Sequence, residues 1–224
     1  VEVRNLAEQA NGNVLVRYGD TLVMATCVMS EKENKEFDFF PLTVEYEERY
    51  YAAGKIRGPR YIKRETRPSD KAICNARLID RAIRPLFPES LKREVQVVVT
   101  ILSWDGENDP DTLGLIAASL ALSISDIPWL GPIGTIRLGR VNKEWALNPT
   151  YEEREKSELE LVVAGILKEN EVLNNMMELS AEEIEENLIL EAVEFSRNYL
   201  RELIQFQKEI IEKTGKEKIS IPAV

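Results

Sequence analysis

Apolar and polar residues along the chain follow two different periods. Alternation with a period of two is typical of strands that are buried on one face, and a period near 3.6 is typical of amphipathic helices. Strands are therefore expected at residues 13–17, 21–29, 42–46, 95–102, 133–138, 145–147, 159–164 and 171–178. Two helices are expected, one from Ser69 or Asp70 to about Leu86 and one from Asp111 or Thr112 to Ile124. Mixed elements of this kind predict an α/β (α+β) fold.

A third helix is expected near the end of the chain. Ser180 and Glu183 have the spacing of a capping box, in which each side chain bonds the backbone N–H of the other residue. Gly215 follows Thr214 at the expected end of the helix. The expected apolar stripe consists of Ile184, Leu188, Ala192, Phe195, Tyr199, Leu203, Phe206 and Ile210.

Charge is distributed unevenly along the chain. The formal net charge of the 224 residues is −10, yet residues 57–84 contain nine basic and three acidic residues, a net charge of +6. Residues 152–217 carry a net charge of −10. A dense basic segment in an acidic chain is typical of a binding site for polyanions.

The basic segment combines a loop with the helix that begins at Ser69 or Asp70. On a helical projection, Arg77, Arg81 and Arg84 lie nearly opposite the apolar face of Ala72, Ala76, Ile79, Ile83 and Leu86. In the loop, Tyr61 and Ile62 precede Lys63 and Arg64, and an aromatic ring beside cations suits single-stranded nucleic acid. The alternative is a solvated arginine face that pairs with acids of the C-terminal half. Charge alone leaves both interpretations open.

Composition limits the class of protein. A hydrophobic content of 44% is sufficient for a sizeable core in one or two domains, and no apolar run is long enough for a membrane span. No signal peptide is visible, and the chain starts at Val1. Cys27 and Cys74 are expected to be buried free thiols of a reducing compartment. The absence of histidine excludes histidine-based acid–base catalysis and histidine ligation of metals within this chain.

Carboxylates are the remaining candidates for metal chemistry. Asp105, Asp109 and Asp111, or Glu158 and Glu160, could hold Mg²⁺, and each set could equally be a wet surface. A third acidic group consists of Glu45, Glu47 and Glu48. It could be a metal site, but a solvated acidic edge is the favoured interpretation. The chain has no phosphate-binding P-loop, no paired CxxC motif and no nucleophile–histidine arrangement.

Several ordered blocks resemble one family. They are Tyr18–Thr21, Asp38–Thr43, Tyr51–Lys55, Arg64–Ser69, Ala76–Arg81, Ile83–Pro88, Asn108–Asp111, Ser125–Pro128, Gly131–Gly134 and Val162–Gly165. With these blocks, nearly the whole chain resembles the first RNase PH-like core domain of bacterial polynucleotide phosphorylases. The resemblance implies a mixed sheet packed with helices, like ribosomal protein S5 domain 2, and a long C-terminal helix.

The resemblance also implies an activity for a longer parent protein. Such a parent degrades single-stranded RNA from the 3′ end, using phosphate and Mg²⁺, and releases nucleoside diphosphates. It acts in cytoplasmic mRNA degradation as a homotrimeric ring. On this view residues 1–216 form the first core, and residues 217–224 begin a linker to a helical domain. The partners are RNA and the second core, which holds the Mg²⁺.

Functional residues of the family map onto this chain in two groups. Tyr61, Ile62, Lys63 and Arg64 stand in the place of the RNA-gripping channel loop, and Arg67, Arg77, Arg81 and Arg84 match the family's basic positions. Asn108–Thr112 replaces the serine-rich phosphate turn of the active core, and Val162 replaces its lysine. The resemblance therefore implies a core without catalytic or metal residues. The alternatives are a stand-alone RNA-binding or assembly protein, and an active nuclease that uses Glu158, Glu160 and residues 105–111.

Overall fold

Two four-stranded sheets form the framework of the fold. The structure is a computed structural model, and it describes residues 1–33, 39–56, 58 and 67–220. The first sheet contains β1 (Gly12–Tyr18), β2 (Thr21–Met29), β3 (Leu42–Glu47) and β4 (Val95–Ser103). The second sheet contains β5 (Ile133–Val141), β6 (Glu144–Leu147), β7 (Leu159–Lys168) and β8 (Glu171–Ala181). The helices of these ranges are α1 (Asp70–Ile83), α2 (Pro110–Ile124), α3 (Tyr151–Arg154) and α4 (Glu186–Thr214).

The first sheet is mixed, as the family resemblance implied. Its order is β1-β2-β4-β3, and only β3 and β4 run parallel. Buried residues alternate along β2, where Val23, Ala25 and Cys27 are fully enclosed. Because β3 lies at the edge of the sheet, the outer side of its backbone faces α1.

The second sheet is antiparallel and carries α4. Its order is β6-β5-β7-β8, and α4 packs mainly on β5 and β7. Gly134 permits this close approach, because a Cβ atom there would lie 2.7 Å from the carbonyl oxygen of Leu200. In the described part of the chain, no helix is long and apolar enough to cross a membrane.

Helix α2 joins the two sheets. It is buried nearly all round and packs against β1, β2, β4 and β5. Ser119 of α2 donates a hydrogen bond of 2.7 Å to the Gln207 side chain of α4, and it accepts one of 2.9 Å from the N–H of Ile133 in β5. The Gln207 amide in turn donates to the Ile133 carbonyl at 2.7 Å. These bonds satisfy buried polar groups and tie α2, β5 and α4 together.

The expected start of the long helix is wrong. Ser180 lies in β8 opposite Glu160, and Glu183 has a positive φ of 47°. Helix α4 begins only at Glu186, after Glu185, which makes no side-chain cap bond. Pairing of β8 with β7 thus overrides the local capping pattern. A complete capping box does occur in the chain, between Thr150 and Glu153 at the start of α3.

Burial corrects two further expectations. Phe206 is 46% exposed, whereas Gln207 and Ser196 of α4 are buried, so the inner stripe is shifted by about one residue from the predicted one. Cys27 is buried as predicted, and Cys74 is exposed on α1. Burial raises the pKa of the Cys27 thiol to about 12, despite a hydrogen-bonding hydroxyl and a nearby lysine.

Residues that follow α4 still contact the core. The N–H groups of Lys216 and Ile219 donate to the carbonyls of Ile124 and Asp126, each at 2.9 Å. The Lys218 ammonium donates to two carbonyls at the end of α2, those of Leu122 and Ser125, each at 2.7 Å. These contacts extend beyond the predicted domain boundary at residue 216, and the linker that was expected after it stays a prediction.

Candidate nucleic-acid interface

Helix α1 begins where the sequence predicts it, but it ends at Ile83 instead of about Leu86, because Arg84–Leu86, with Pro85, forms a separate 3-10 turn. Ser69 is the N-cap, and its hydroxyl accepts a hydrogen bond of 3.0 Å from the N–H of Ala72. Asp70 in the first turn interacts favourably with the helix dipole. Ala72, Ile79 and Ile83 are buried on the predicted apolar face, so the arginines of α1 lie on its more exposed sides.

A groove of about 1120 Å³ lies between α1 and the edge strand β3. Residues from both ends of α1 line it, from the N-cap Ser69 to the C-cap Arg84. Its floor includes Leu42, Val44, Ala72 and Ala76. The charged residues that line it are Arg49, Lys55, Arg67, Arg77, Arg84, Glu45, Glu47, Glu48 and Asp80.

Hydrogen bonds join α1 to β3 at both ends of the groove. At one end, the Ser69 hydroxyl donates to the Glu48 carboxylate at 2.7 Å. At the other end, Arg84 donates to the backbone carbonyls of Phe40 and Leu42, each at 3.2 Å. The two walls are therefore fixed relative to each other.

Arg67 and Arg77 remain available to an outside ligand. Both are exposed and line the groove. Neither has an ion-pair partner within residues 1–33, 39–56, 58 and 67–220. Lys55, which the sequence did not single out, is also exposed and lines the groove without a recorded ion pair in the same ranges. The structure thus brings these three cations to one surface.

The other two arginines of the predicted helix, Arg81 in α1 and Arg84 at its C-cap, are bound to the protein. Arg81 contacts the Glu178 carboxylate at 3.5 Å and the Met177 carbonyl at 3.3 Å on β8, and it does not line the groove. This contact fits the alternative in which the arginine face pairs with acids of the C-terminal half. Arg84 lines the groove, but Asp80 binds its guanidinium in a bidentate pair with distances of 3.0 and 2.6 Å.

The four residues of the predicted channel loop, Tyr61, Ile62, Lys63 and Arg64, lie outside the described residues. Their assignment as RNA-binding residues therefore stays a prediction.

A second charged region surrounds the amino end of α2. Asp109 is the N-cap of α2 and contacts Lys71 at 3.0 Å and Arg154 at 2.6 Å. Arg137 binds both Asp111 and Glu160, and Arg154 reaches Glu160 at 2.8 Å. We call Lys71, Asp109, Asp111, Arg137, Arg154 and Glu160 the α2 cluster. Its three formal positive charges balance its three formal negative charges.

Neighbouring elements position the cations of the α2 cluster. The capping box of α3 holds the short helix that carries Arg154 and Tyr151. The Tyr151 ring lies beneath both Lys71 and Arg154, at 5.2 and 5.4 Å from its centroid. Asn148 makes two hydrogen bonds to the backbone of Arg137. The side-chain oxygen of Asn148 accepts from the Arg137 N–H at 3.0 Å, and the backbone N–H of Asn148 donates to the Arg137 carbonyl at 2.7 Å. Contacts from neighbouring elements therefore fix the positions of these cations in the fold.

Burial and neighbouring charge shift the pKa values of these carboxyls in opposite directions. Burial opposes ionisation of Asp109, but Lys71 and the hydrogen bond from Arg154 outweigh it, so the pKa of Asp109 is lowered. Burial, helped by the charge of Asp109, raises the pKa of Asp111 although Arg137 is adjacent. Partial burial disfavours the charged form of Lys71, and Asp109 outweighs this effect and raises the pKa of Lys71.

Arg137 lies near Val162, the position at which the family resemblance implied that a lysine is missing. It lies directly across from Val162 in the pairing of β5 with β7. A positive charge is thus present beside Val162, but Asp111 and Glu160 already bind it. The difference from the expectation is that the cation comes from a neighbouring strand and is neutralised.

The α2 cluster does not fit a Mg²⁺ ion. The carboxylates of Asp109, Asp111 and Glu160 bind arginine and lysine side chains, whose charge would repel a metal. Asp105 is engaged separately, because it accepts from the side chain and backbone of Asn108 at 2.7 and 2.8 Å. Glu158 is exposed and lies 3.9 Å from Arg140. In the ranges that the structure describes, no group of three potential metal ligands is close enough to hold an ion.

Arg137 and Arg154 are the members of the α2 cluster that the sequence did not reveal. They lie far along the chain from Asp109 and Asp111, so no local spacing connects them. One signal was present, since Arg137 is the one charged residue in the expected strand 133–138. A charge in such a place indicates a buried partner.

Comparison with known proteins identifies the family. The model described as "3' exoribonuclease family, domain 1" matches residues 1–128, and "3' exoribonuclease family, domain 2" matches residues 131–199. The polyribonucleotide nucleotidyltransferase of Geobacillus kaustophilus is 52% identical over 221 residues, 99% of this chain and 30% of that protein. The enzyme of the same name from Heliobacterium modesticaldum is 49% identical over 222 residues, 99% of this chain and 31% of that protein.

A solved structure supports the fold. A chain from the structure titled "archaeoglobus fulgidus exosome with RNA bound to the active site" has a TM-score of 0.68 and 22% sequence identity, and the match covers 90% of this chain and 85% of that chain. The chain spans about 30% of the length of the curated relatives it matches. With both domain models matched in order and an RNase PH-like arrangement of sheets and helices, the chain belongs to the 3′ exoribonuclease family of RNase PH-like proteins.

Proposed function

We propose that this chain is the RNA-binding, ring-forming first core of a longer phosphorolytic exoribonuclease and lacks the phosphorolytic site itself. The parent enzyme converts RNA and phosphate to nucleoside diphosphates in cytoplasmic mRNA degradation, as a homotrimer, with Mg²⁺ bound at its second core. One observation carries the RNA-binding part: Lys55, Arg67 and Arg77 line one groove with no ion-pair partner in the described ranges.

Electrostatics supports a nucleic-acid ligand for the groove. The chain as a whole is acidic, but Lys55, Arg67 and Arg77 are exposed on one groove without an ion pair in the described ranges, so they form a local cationic surface that can attract a polyanion. The apolar floor of the groove can contact bases while the cations contact phosphates. The names of the relatives, and an RNA-bound structure among the fold neighbours, agree with this ligand.

The α2 cluster supports the absence of phosphorolysis. A phosphate nucleophile needs a pocket of free donors or cations. Here Lys71, Arg137 and Arg154 are bound by Asp109, Asp111 and Glu160. An incoming phosphate would have to displace three carboxylates that the fold holds in place.

Salt-dependent RNA binding tests the proposal. We expect the chain to bind a fluorescent single-stranded oligoadenylate weakly, with an affinity that falls steeply between low and physiological salt as counterions are released. DNA of equal length should compete in part, because phosphate contacts carry little information about the sugar. No binding, or binding that salt does not weaken, would contradict the proposal. Of the two alternatives, only the active-nuclease alternative predicts cleavage of the oligonucleotide.

A further inference from the structure

Arg84 lines the groove, yet its guanidinium is committed to the protein. Its Nε and Nη2 atoms donate to the two Asp80 carboxylate oxygens at 3.0 and 2.6 Å. Its Nη1 and Nη2 atoms donate to the carbonyls of Phe40 and Leu42, each at 3.2 Å. The Arg84 side chain is only 41% exposed. Little donor capacity is left for a phosphate.

These bonds join the last turn of α1 to the start of β3. The Pro41 carbonyl points the other way, because it accepts from Val95 of the β4 side at 3.0 Å. Successive backbone groups of a strand alternate in direction, so the groups of Val44 and Tyr46 point to the same side as the carbonyls that Arg84 binds. Arg84 therefore ties α1 to the open edge of β3, at one end of the groove.

We propose that Arg84, held by Asp80, is a positioning residue that sets the spacing between α1 and β3, so that Arg67 and Arg77 can contact RNA. It is not itself a phosphate contact. The inference rests on the proposed function, since it assumes that RNA enters this groove. A planar guanidinium is required, because it can bind a carboxylate and two carbonyls at the same time in a fixed geometry.

The chain offers a matched control for the charge of this pair. Glu48 and Asp80 both line the groove, at opposite ends of α1. Glu48→Gln removes one negative charge but leaves a side-chain oxygen that can accept from Ser69. Asp80→Asn removes the same charge but weakens the pair with Arg84. Electrostatics alone predicts that both variants bind RNA more tightly, whereas positioning predicts opposite effects.

The experiment measures oligoadenylate affinity over a range of salt concentrations for the wild-type chain, Glu48→Gln, Asp80→Asn and Arg84→Lys. We expect Glu48→Gln to bind about twofold more tightly, since a charge near the phosphates is lost. Asp80→Asn and Arg84→Lys should bind about fivefold more weakly, an effect of the size of one ordinary hydrogen bond. The salt dependence of Arg84→Lys should equal that of the wild-type chain, because no phosphate contact is removed.

The outcomes separate this inference from the proposed function. Wild-type-like affinity of Arg84→Lys, or tighter binding by Asp80→Asn, would show that Arg84 acts only through its charge and would overturn the inference while the proposed function stands. Absence of RNA binding by the wild-type chain would overturn both. If Arg84→Lys fails to fold, Asp80→Asn against Glu48→Gln still decides the question.

Discussion

The α2 cluster and the groove contain the same kinds of side chain in opposite surroundings. In the α2 cluster, the side chains of Asp111 and Arg137 are 4% and 7% exposed, and each contacts a group of opposite charge. In the groove, Arg67 and Arg77 are exposed, and no ion pair to them is found in the part of the chain that the structure describes. Both regions include residues of α1, since Lys71 belongs to the α2 cluster and Arg77 lines the groove.

Burial explains why their roles differ. An ion that leaves water must regain its solvation energy from a partner, so buried charges are paired and serve the structure. An exposed arginine keeps its hydration and stays available for a ligand. Sequence alone could not separate the two cases, because both appear as arginine and lysine near acids.

The largest expected effect is the loss of Arg137. Arg137→Met should leave the buried Asp111 carboxylate without its cation, and should remove one of the two cations that bind Glu160. It should therefore lower the free energy of unfolding by about 3–5 kcal/mol. Urea denaturation measures this change. Arg197→Met is the control, since Arg197 makes an exposed pair on α4 and its loss should cost at most about 0.5 kcal/mol. A loss below about 1 kcal/mol for Arg137→Met would mean that the α2 cluster is not a structural unit.

A smaller effect, on binding and not on stability, is expected at Arg77. Arg77→Ala should weaken oligoadenylate binding roughly fivefold at low salt and reduce the slope of affinity against salt by about one. The free energy of unfolding should stay within about 0.5 kcal/mol of wild type, because Arg77 is exposed. Lys208→Ala on the exposed side of α4 is the matched control and should change neither quantity. Lower stability with unchanged binding would assign Arg77 to the structure.

Acid should weaken the fold near α2. Slight burial opposes ionisation of Asp105, but hydrogen bonds from Asn108 and Glu107 lower the pKa of Asp105 to about 2. A carboxyl whose pKa is lowered by folding stabilises the fold at a pH above its unfolded value, and this contribution is lost as the pH falls from about 4 toward 2. Asp109, whose pKa is also lowered, acts in the same direction.

Urea denaturation at a series of pH values measures this loss. The free energy of unfolding should decline below about pH 4, and Asp105→Asn should flatten the decline. A pH profile of Asp105→Asn that is identical to that of the wild-type chain would contradict the role of Asp105.

The smallest effects are expected at Arg81. Its pair with Glu178 is exposed and 3.5 Å long, so Arg81→Ala should change the free energy of unfolding by less than about 1 kcal/mol. RNA affinity should also change little, because Arg81 does not line the groove. Binding as weak as that of Arg77→Ala would extend the interface to the flank of α1 that faces β8.

Local patterns predicted most of the fold. The bounds of β2 were predicted to the residue, and the buried face of α1 was predicted through Ala72, Ile79 and Ile83. Hydrophobic periodicity reports burial directly, which explains this success. The start of α4 was predicted wrongly, because Ser180 pairs across the sheet with Glu160 and long-range pairing outweighs a cap.

The site was less predictable for a related reason. Arg137 meets Asp111 only when β5 packs beside α2, and Arg154 reaches Glu160 of β7 only when α3 packs beside β5. The commitment of Arg84 to the Phe40 carbonyl depends on the place of β3 at the edge of its sheet. Charge counting gave the location of the basic surface. Partners across the fold decide which of its arginines are free.

The most direct test of the account combines binding and catalysis in one preparation. The chain, purified free of host nuclease, is incubated with oligoadenylate, inorganic phosphate and Mg²⁺, and ADP release is measured beside RNA affinity. We expect salt-sensitive RNA binding without ADP above background, because Asp109, Asp111 and Glu160 bind the cations that a phosphate would need. Phosphate-dependent ADP release that is lost in Glu160→Gln would contradict it and make the α2 cluster an active site.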